Sequence, residues 1–259
     1  MYNFLRVSHH DGVVRLALNR PEVFNAFHRG MALELQDALK EADRNPDVRA
    51  VLLTGEGRAF CSGQDLAEAV DPLGPGLDRI LREHYNPLVL QLRALRKPIV
   101  VAVNGVAAGA GANLALAGDV VLAAQSAKFI QAFSKIGLIP DTGGTLSLPR
   151  LAGFAKASAW MMLADAVGAE EAERHGLIYR VVPDETLADE AMAVAQKLAK
   201  MPTEALALTK EALNASVFHG LESQLELERH LQNKAGATAD FAEGVSAFLE
   251  KRQPQFRGQ

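Results

Sequence analysis

Two stretches of this chain place glycine where backbone N–H groups can be presented to a ligand. One is Ala59-Phe60-Cys61-Ser62-Gly63-Gln64-Asp65-Leu66; the other is Val103-Asn104-Gly105-Val106-Ala107-Ala108-Gly109-Ala110-Gly111-Ala112-Asn113-Leu114. Each follows an apolar run and precedes a segment of helical composition, so each reads as strand, turn, helix. Residues with almost no side chain at such a junction let another backbone or a ligand approach, and the helix leaves unpaired N-terminal N–H groups facing it. Two such turns at the ends of neighbouring strands can aim two N–H groups at one point, which is what stabilising an oxyanion on a carbonyl requires. The alternative for Ser62-Gly63-Gln64-Asp65 taken alone is a capping turn. A nucleotide site is disfavoured: Leu114 stands where a dinucleotide fingerprint needs its third glycine, and no Gly-Lys-Ser/Thr occurs.

Other reactive side chains form no comparable pattern. The seven histidines show no ligand pair at zinc spacing and no companion cysteines, so no metal is expected. Cys61 is the single cysteine, which excludes an intrachain disulfide framework, and it has no general base beside it in sequence. A small buried residue is the reading for Cys61. A formal net charge of −4 without blocks of like charge gives no reason to expect nucleic acid or an anionic membrane as partner. Its apolar runs are too short to span a bilayer and no signal pattern opens the chain, so a cytoplasmic protein is expected.

The elements that must position these turns alternate between strand and helix. Val13 to Leu18 and Val48 to Thr54 are apolar, β-branched runs; the second is nearly continuous, as in a parallel strand buried on both faces. Between them Met31, Leu35, Ala38, Leu39 and Ala42 recur at helical spacing. Leu77 to Leu95 carries leucines at three-to-four spacing and predicts one helix, broken by Lys97-Pro98 before a strand at Ile99 to Val103. Leu114 to Ala117 is of helical composition, and Asp119 to Ala124 is the next strand. The larger N-terminal part is therefore an α/β layered domain with a mostly parallel sheet. Leu73 to His84 is expected to form part of a pocket wall.

From about Asp184 the character changes. Leu187 to Ala199, Glu204 to Ser216, Leu221 to Asn233 and Asp240 to Glu250 all read as helices, and no strand follows. Leu206, Leu208, Leu213 and Val217 put apolar residues on more than one side of their helix, which fits burial either on the same chain or against another subunit.

Three blocks in order resemble the enoyl-CoA hydratase/isomerase, or crotonase, superfamily: Ala59 to Leu66; Lys97-Pro98-Ile99-Val100-Val101-Ala102-Val103-Asn104-Gly105; and Gly137-Leu138-Ile139-Pro140-Asp141-Thr142-Gly143-Gly144-Thr145. The resemblance extends to Asn19-Arg20-Pro21 with Asn25-Ala26 near the start and to Phe248-Leu249-Glu250-Lys251-Arg252 near the end. It implies an α/β crotonase (ClpP-like) spiral of ββα units over residues 1–190, and a helical C-terminal trimerisation region over 191–259 that supplies part of the CoA site. It implies an acyl-CoA thioester as substrate and self-association as a homotrimer or dimer of trimers. No cofactor is implied, because coenzyme A is part of the substrate. By position the oxyanion-hole donors are the backbone N–H groups of Gln64 and Ala110. Asn25, Ala26, Gly63, Asp65, Leu66, Gly109, Asn113, Phe133 and Lys251 are the positions expected to line the substrate and CoA. Lys251 would reach CoA phosphates of its own or a neighbouring subunit, the alternative being a solvated helix end.

The departures from the family pattern carry more information than the matches. Hydratases of this superfamily hold water between two glutamates, and the matching positions here are Asn113 and Phe133. Neither an amide nor a phenyl ring can exchange a proton at neutral pH. Asp141 is the acid that remains, and in this family an aspartate there, with one or both glutamates missing, marks isomerases. Its ordinary pKa near ~3.9 makes it a poor base unless an apolar pocket raises it, and Phe133, Leu138 and Ile139 are available to build one. The competing role for Asp141 is to cap a helix starting at Thr142 or Gly143. The full set resembles the branch of the superfamily that isomerises ring-epoxide thioesters to oxepins, and the same residues suit a Δ3-to-Δ2 enoyl shift. The alternatives are an enoyl-CoA hydratase or a non-catalytic CoA-ester-binding protein.

Overall fold

The computed structural model describes residues 2–259. Its core is a sheet of six strands in the order β1-β2-β3-β5-β7-β10: β1 (Leu5–His10), β2 (Val13–Leu18), β3 (Ala50–Gly55), β5 (Ile99–Val103), β7 (Val120–Ala124) and β10 (Arg180–Val182). The β1–β2 hairpin is antiparallel and all later pairings in this sheet are parallel. The apolar runs of β3, β5 and β7 are nearly continuous because these strands are covered on both faces, whereas β2 is interrupted by the half-buried Arg15. A second sheet, in the order β4-β6-β8-β9, is built from strands of three residues each: β4 (Ala59–Cys61), β6 (Val106–Ala108), β8 (Lys128–Ile130) and β9 (Ala166–Gly168).

The chain passes from a long strand of the first sheet to a short strand of the second and then to helix, three times in succession: β3 to β4, β5 to β6, β7 to β8. This is the ββα spiral that the family resemblance implies, and it corrects the simple strand-turn-helix reading of Val103 to Leu114. Asn104 holds the corner between β5 and β6 onto the preceding one. Its amide donates to Gly57 O at 2.9 Å and Ala59 O at 3.3 Å, and accepts from Gly55 N–H at 3.3 Å.

Helix α1 (Arg29–Arg44) buries Met31, Ala32, Leu35, Ala38, Leu39 and Ala42 along one stripe, as the spacing predicts. The following short helices are α2 (Leu66–Val70) and α3 (Gly76–Ile80). Leu77 to Leu95 is not one regular helix: α3 runs into a π-helical segment, Leu81–Tyr85, and then α4 (Asn86–Ala94), which has proline in its first turn. The carbonyls that the wide turn releases are taken up by Gln36 of α1, whose Nε2 donates to Glu83 O at 2.8 Å and His84 O at 3.2 Å. Next come α5 (Ala110–Leu116), α6 (Gly144–Ala152), α7 (Phe154–Leu163) and α8 (Ala169–Arg174).

Helix α9 (Leu187–Ala199) lies against β2, β3, β5 and β7, presenting Leu187, Ala191, Ala195 and Ala199 at a spacing of four. It is a layer of the core, so the boundary expected at residue 190 cuts through a core helix, and the helical extension starts near residue 200. The extension comprises α10 (Thr203–Ser216), α11 (Leu221–Gly236) and α12 (Ala239–Glu250). Asp119 joins it to the core by pairing with Arg93 at 3.1 Å and with the buried Lys210 of α10 at 2.8 Å. Burial holds the Lys210 ammonium below its ordinary range, and Asp119 works against that shift. Leu208 is buried within the chain but Leu213 is exposed, and α11 buries only Leu231.

Candidate active site

Strands β4 and β6 pair in parallel, Ala59 opposite Val106 and Cys61 beside Ala107, so the turns that leave their C-terminal ends lie side by side. Gly63 has φ +96°, and a Cβ there would sit 2.9 Å from Ala108 O and 3.7 Å from Ala110 N. Only glycine allows both that backbone conformation and that approach. Phe27 fixes the first turn from the other side: its N–H donates to Gly63 O at 2.7 Å and its carbonyl accepts from Asp65 N–H at 2.8 Å. Alternate N–H groups of an extended segment face opposite ways, so the N–H of Gln64 turns away from Phe27. In the second turn Gly109 N–H is spent on Ile130 O at 2.8 Å, and Ala110 is the first residue of α5. Among the described residues no acceptor takes the N–H of Gln64 or of Ala110.

Asp141, in the loop before α6, is tied to Asn113, which lies one helical turn along α5 from Ala110. Asn113, buried on α5, donates from Nδ2 to the Asp141 carbonyl at 2.8 Å and accepts at Oδ1 from Gln131 Nε2 at 2.8 Å. Gly144 is necessary for this clamp, since a Cβ there would collide with the Asn113 amide. The Asp141 carboxylate accepts from the Thr142 hydroxyl at 2.7 Å. Thr142 has φ +54°, an uncommon conformation for a β-branched residue and one that marks functional loops. Burial raises the Asp141 pKa above the ordinary aspartate range, and the Thr142 hydroxyl offsets part of that rise. The helix-cap role is not what this carboxylate does: the N-cap of α6 is Gly143, with no side-chain acceptor.

The remaining expected residues divide by position. Phe133, on the 3-10 turn Ala132–Ile136, is buried, and its ring edge comes within 3.9 Å of where a Cβ on Gly109 would lie. Asn25 is a correction. It is 0 % exposed, and its amide donates to Glu56 O and Ala59 O and accepts from Arg20 N–H, so it fastens the turn before β4 and offers a ligand nothing. Ala26 is half-buried, and its carbonyl is taken by the Arg20 guanidinium. Asp65 is likewise occupied, capping α2 through Ala67 N–H and pairing with Arg20 at 2.9 Å. Burial works to raise its pKa, but the Arg20 guanidinium holds it below the ordinary range. Leu66 is half-exposed on the first turn of α2. Lys251 is exposed at the left-handed C-cap of α12, and among the described residues no hydrogen bond joins it to the loops around Asp141.

Thr142, Gln131 and the buried face of the π-helical segment adjoin this site without having stood out in the sequence. Thr142 is signalled only by its place beside Asp141; Gln131 has no signal of its own. Burial pushes the Cys61 thiol up to about 12, so it is inert at neutral pH. Two surface clefts of about 430 and 490 Å³ lie elsewhere, the first beside Tyr2 and Asn45, the second between β3 and α9. Among the described residues no group of three or more His, Cys, Asp or Glu is placed to hold a metal ion, and no helix is long and apolar enough to cross a membrane.

The arrangement thus combines two unpaired backbone donors with one half-buried carboxylate, in a ββα spiral. Comparison with known proteins gives the same frame. A curated Escherichia coli K12 protein, "1,2-epoxyphenylacetyl-CoA isomerase", is 52% identical, with 100% of each chain covered. A Rhodobacter capsulatus protein named "Probable enoyl-CoA hydratase" is 49% identical over 99% of each. A solved Mycobacterium abscessus structure of the enoyl-CoA hydratase/isomerase class superposes with a TM-score of 0.93 at 43% identity, covering 98% of this chain and 100% of that one. The family model described as "Enoyl-CoA hydratase/isomerase" matches residues 8–259. This chain belongs to the enoyl-CoA hydratase/isomerase family.

Proposed function

We propose that the protein is an acyl-CoA isomerase that acts as a 1,2-epoxyphenylacetyl-CoA isomerase, converting the ring epoxide to the oxepin, with a Δ3-to-Δ2 enoyl shift as a related activity. The observation that carries this reading is the half-buried carboxylate of Asp141, whose backbone carbonyl Asn113 clamps beside the Ala110 turn. The N–H groups of Gln64 and Ala110 receive the thioester oxygen and stabilise the enolate that forms on it, worth about 3 kcal/mol per donor. Asp141 takes a proton from one carbon of the acyl group and returns it at another; in its protonated form it assists opening of the strained epoxide. Its raised pKa makes it a stronger base than an exposed aspartate. Isomerisation leaves the composition of the substrate unchanged, so no redox cofactor enters the scheme. A hydratase would need an acid to activate water at position 113 or 133, and Asn113 and Phe133 supply none.

Self-association belongs to the same reading. Helix α11 buries one residue while Leu221, Leu225, Phe241, Phe248 and Leu249 of α11 and α12 stay exposed, which suits a homotrimer or a dimer of trimers. Cys61 is buried and unpaired, compatible with a cytoplasmic location. Lys251 is kept as a CoA-phosphate contact in such an assembly.

The test is kinetic. The wild type should turn over 1,2-epoxyphenylacetyl-CoA, and Asp141→Asn should lower kcat by roughly 10²–10⁴-fold while binding of the thioester stays within a few-fold. Failure of the wild type to isomerise either this epoxide or a 3-enoyl-CoA would overturn the reading, and so would hydration of crotonyl-CoA at an ordinary enzymatic kcat of about 1–10³ s⁻¹.

A further inference from the structure

Tyr85 is 1% exposed, and its hydroxyl has no hydrogen-bond partner among the described residues. Such a group costs about 1–3 kcal/mol when left unpaired in a fold, and phenylalanine would fill the same space without that cost. Its position gives the hydroxyl a use. Tyr85 ends the π-helical segment, a type of distortion common at functional sites. Its ring stacks on Phe27 with centroids 5.4 Å apart, and Phe27 is the residue that holds the turn on either side of Gln64. One turn further along, Val89 approaches Gly143, two residues from Asp141. The segment from Tyr85 to Val89 therefore forms a wall running from the Gln64 turn to the Asp141 loop. Burial, then Cys61, Asp141, Glu68 and Asp65, push the phenol well above its ordinary range, so it stays a hydrogen-bond donor at any working pH. His84 is also buried with both ring nitrogens unpaired, but its charged neighbours are Glu68, Arg29, Glu83 and Arg79, and Asp141 is not one of them.

We infer that the Tyr85 hydroxyl is a specificity-determining donor to an oxygen carried by the acyl group, offered from the wall that joins the Gln64 turn to the Asp141 loop. The site is then built for CoA thioesters whose acyl part bears an acceptor oxygen, and a plain hydrocarbon acyl group would leave the phenol unsatisfied. This rests on the isomerase reading above and names the chemical class of its substrate. The ring oxygen of an arene epoxide belongs to that class.

Tyr85→Phe in the full chain tests it, with two thioesters: 1,2-epoxyphenylacetyl-CoA as substrate and phenylacetyl-CoA, which lacks the ring oxygen, as competitive inhibitor. The expected result is a fall in kcat/KM for the epoxide of roughly tenfold to a hundredfold, an inhibition constant for phenylacetyl-CoA unchanged within twofold, and a melting temperature equal to or above that of the wild type. Unchanged turnover of the epoxide would overturn the proposal, and so would a parallel loss of turnover and phenylacetyl-CoA binding with a lowered melting temperature, which is the signature of a packing role. A wild type inactive on the epoxide would instead remove the isomerase reading, and the proposal with it. Tyr85→Phe and Asp141→Asn thus fail separately.

Discussion

Asn113 stands where a hydratase of this family carries a glutamate, and here it is a strut. Its two hydrogen bonds, to the Asp141 carbonyl and from Gln131, are each 2.8 Å long and lie in a site where Asn113 itself is 2% exposed. Asn113→Ala removes both and leaves a carbonyl and an amide N–H buried without partners. At about 1–3 kcal/mol for each unsatisfied group, less whatever an entering water recovers, the loss is about 2–4 kcal/mol. In a chain of this size that lowers the melting temperature by roughly 5–15 °C. The catalytic effect comes from the freed Asp141 loop: a displacement near 1 Å of a reacting group costs about 10²-fold in rate, so kcat should fall by one to two orders of magnitude with KM little changed. Asn113→Asp sharpens the test because it keeps the shape and removes the donor. Only the protonated form of the new side chain can donate to the Asp141 carbonyl, so its folded-state pKa lies above the unfolded one. The stabilising bond is present below the unfolded pKa and is lost as pH rises through the folded one. Thermal melts across pH 4 to 8 and steady-state kinetics read both effects. If Asn113→Ala melted within 2 °C of the wild type with kcat within twofold, the clamp would not be what positions Asp141.

Two further outcomes follow from the same geometry. The Thr142 hydroxyl holds the Asp141 pKa down against the rise caused by burial, so Thr142→Ala should raise it further and move the acid limb of kcat/KM to higher pH, with Thr142→Ser restoring the wild-type profile. An unmoved limb would show that another group titrates there. With the assembly proposed for α11 and α12, light scattering on the purified protein should give a mass of three or six chains; a monomer would remove that role.

The periodic patterns located most of the first sheet and all of the C-terminal helices. The runs of β3, β5 and β7 are long, apolar and β-branched, so burial on both faces is written into their composition. α9 to α12 were legible from spacing and from punctuation such as Met201-Pro202-Thr203. Asp141 stood out through the family resemblance, as the acid left once the positions matched to the hydratase glutamates, 113 and 133, were seen to carry Asn and Phe. The second sheet was not. A strand of three residues has no period to detect, and β4, β6, β8 and β9 exist only because neighbouring strands, distant in sequence, complete their hydrogen bonds. For the same reason the sequence could not say that Asn25 is spent inside the fold, that α9 is part of the core, or that Leu77 to Leu95 widens into a π turn. Composition and spacing gave two glycine turns able to present N–H donors, and only the resemblance of the three blocks to the family gave the expectation of what those donors and Asp141 are for. Thr142 stands beside Asp141 in the sequence itself, but Tyr85, Asn113 and Gln131 come from three other segments, so only the tertiary structure decided that they gather at the Asp141 loop, since burial and its effect on a pKa are properties of the assembled neighbourhood.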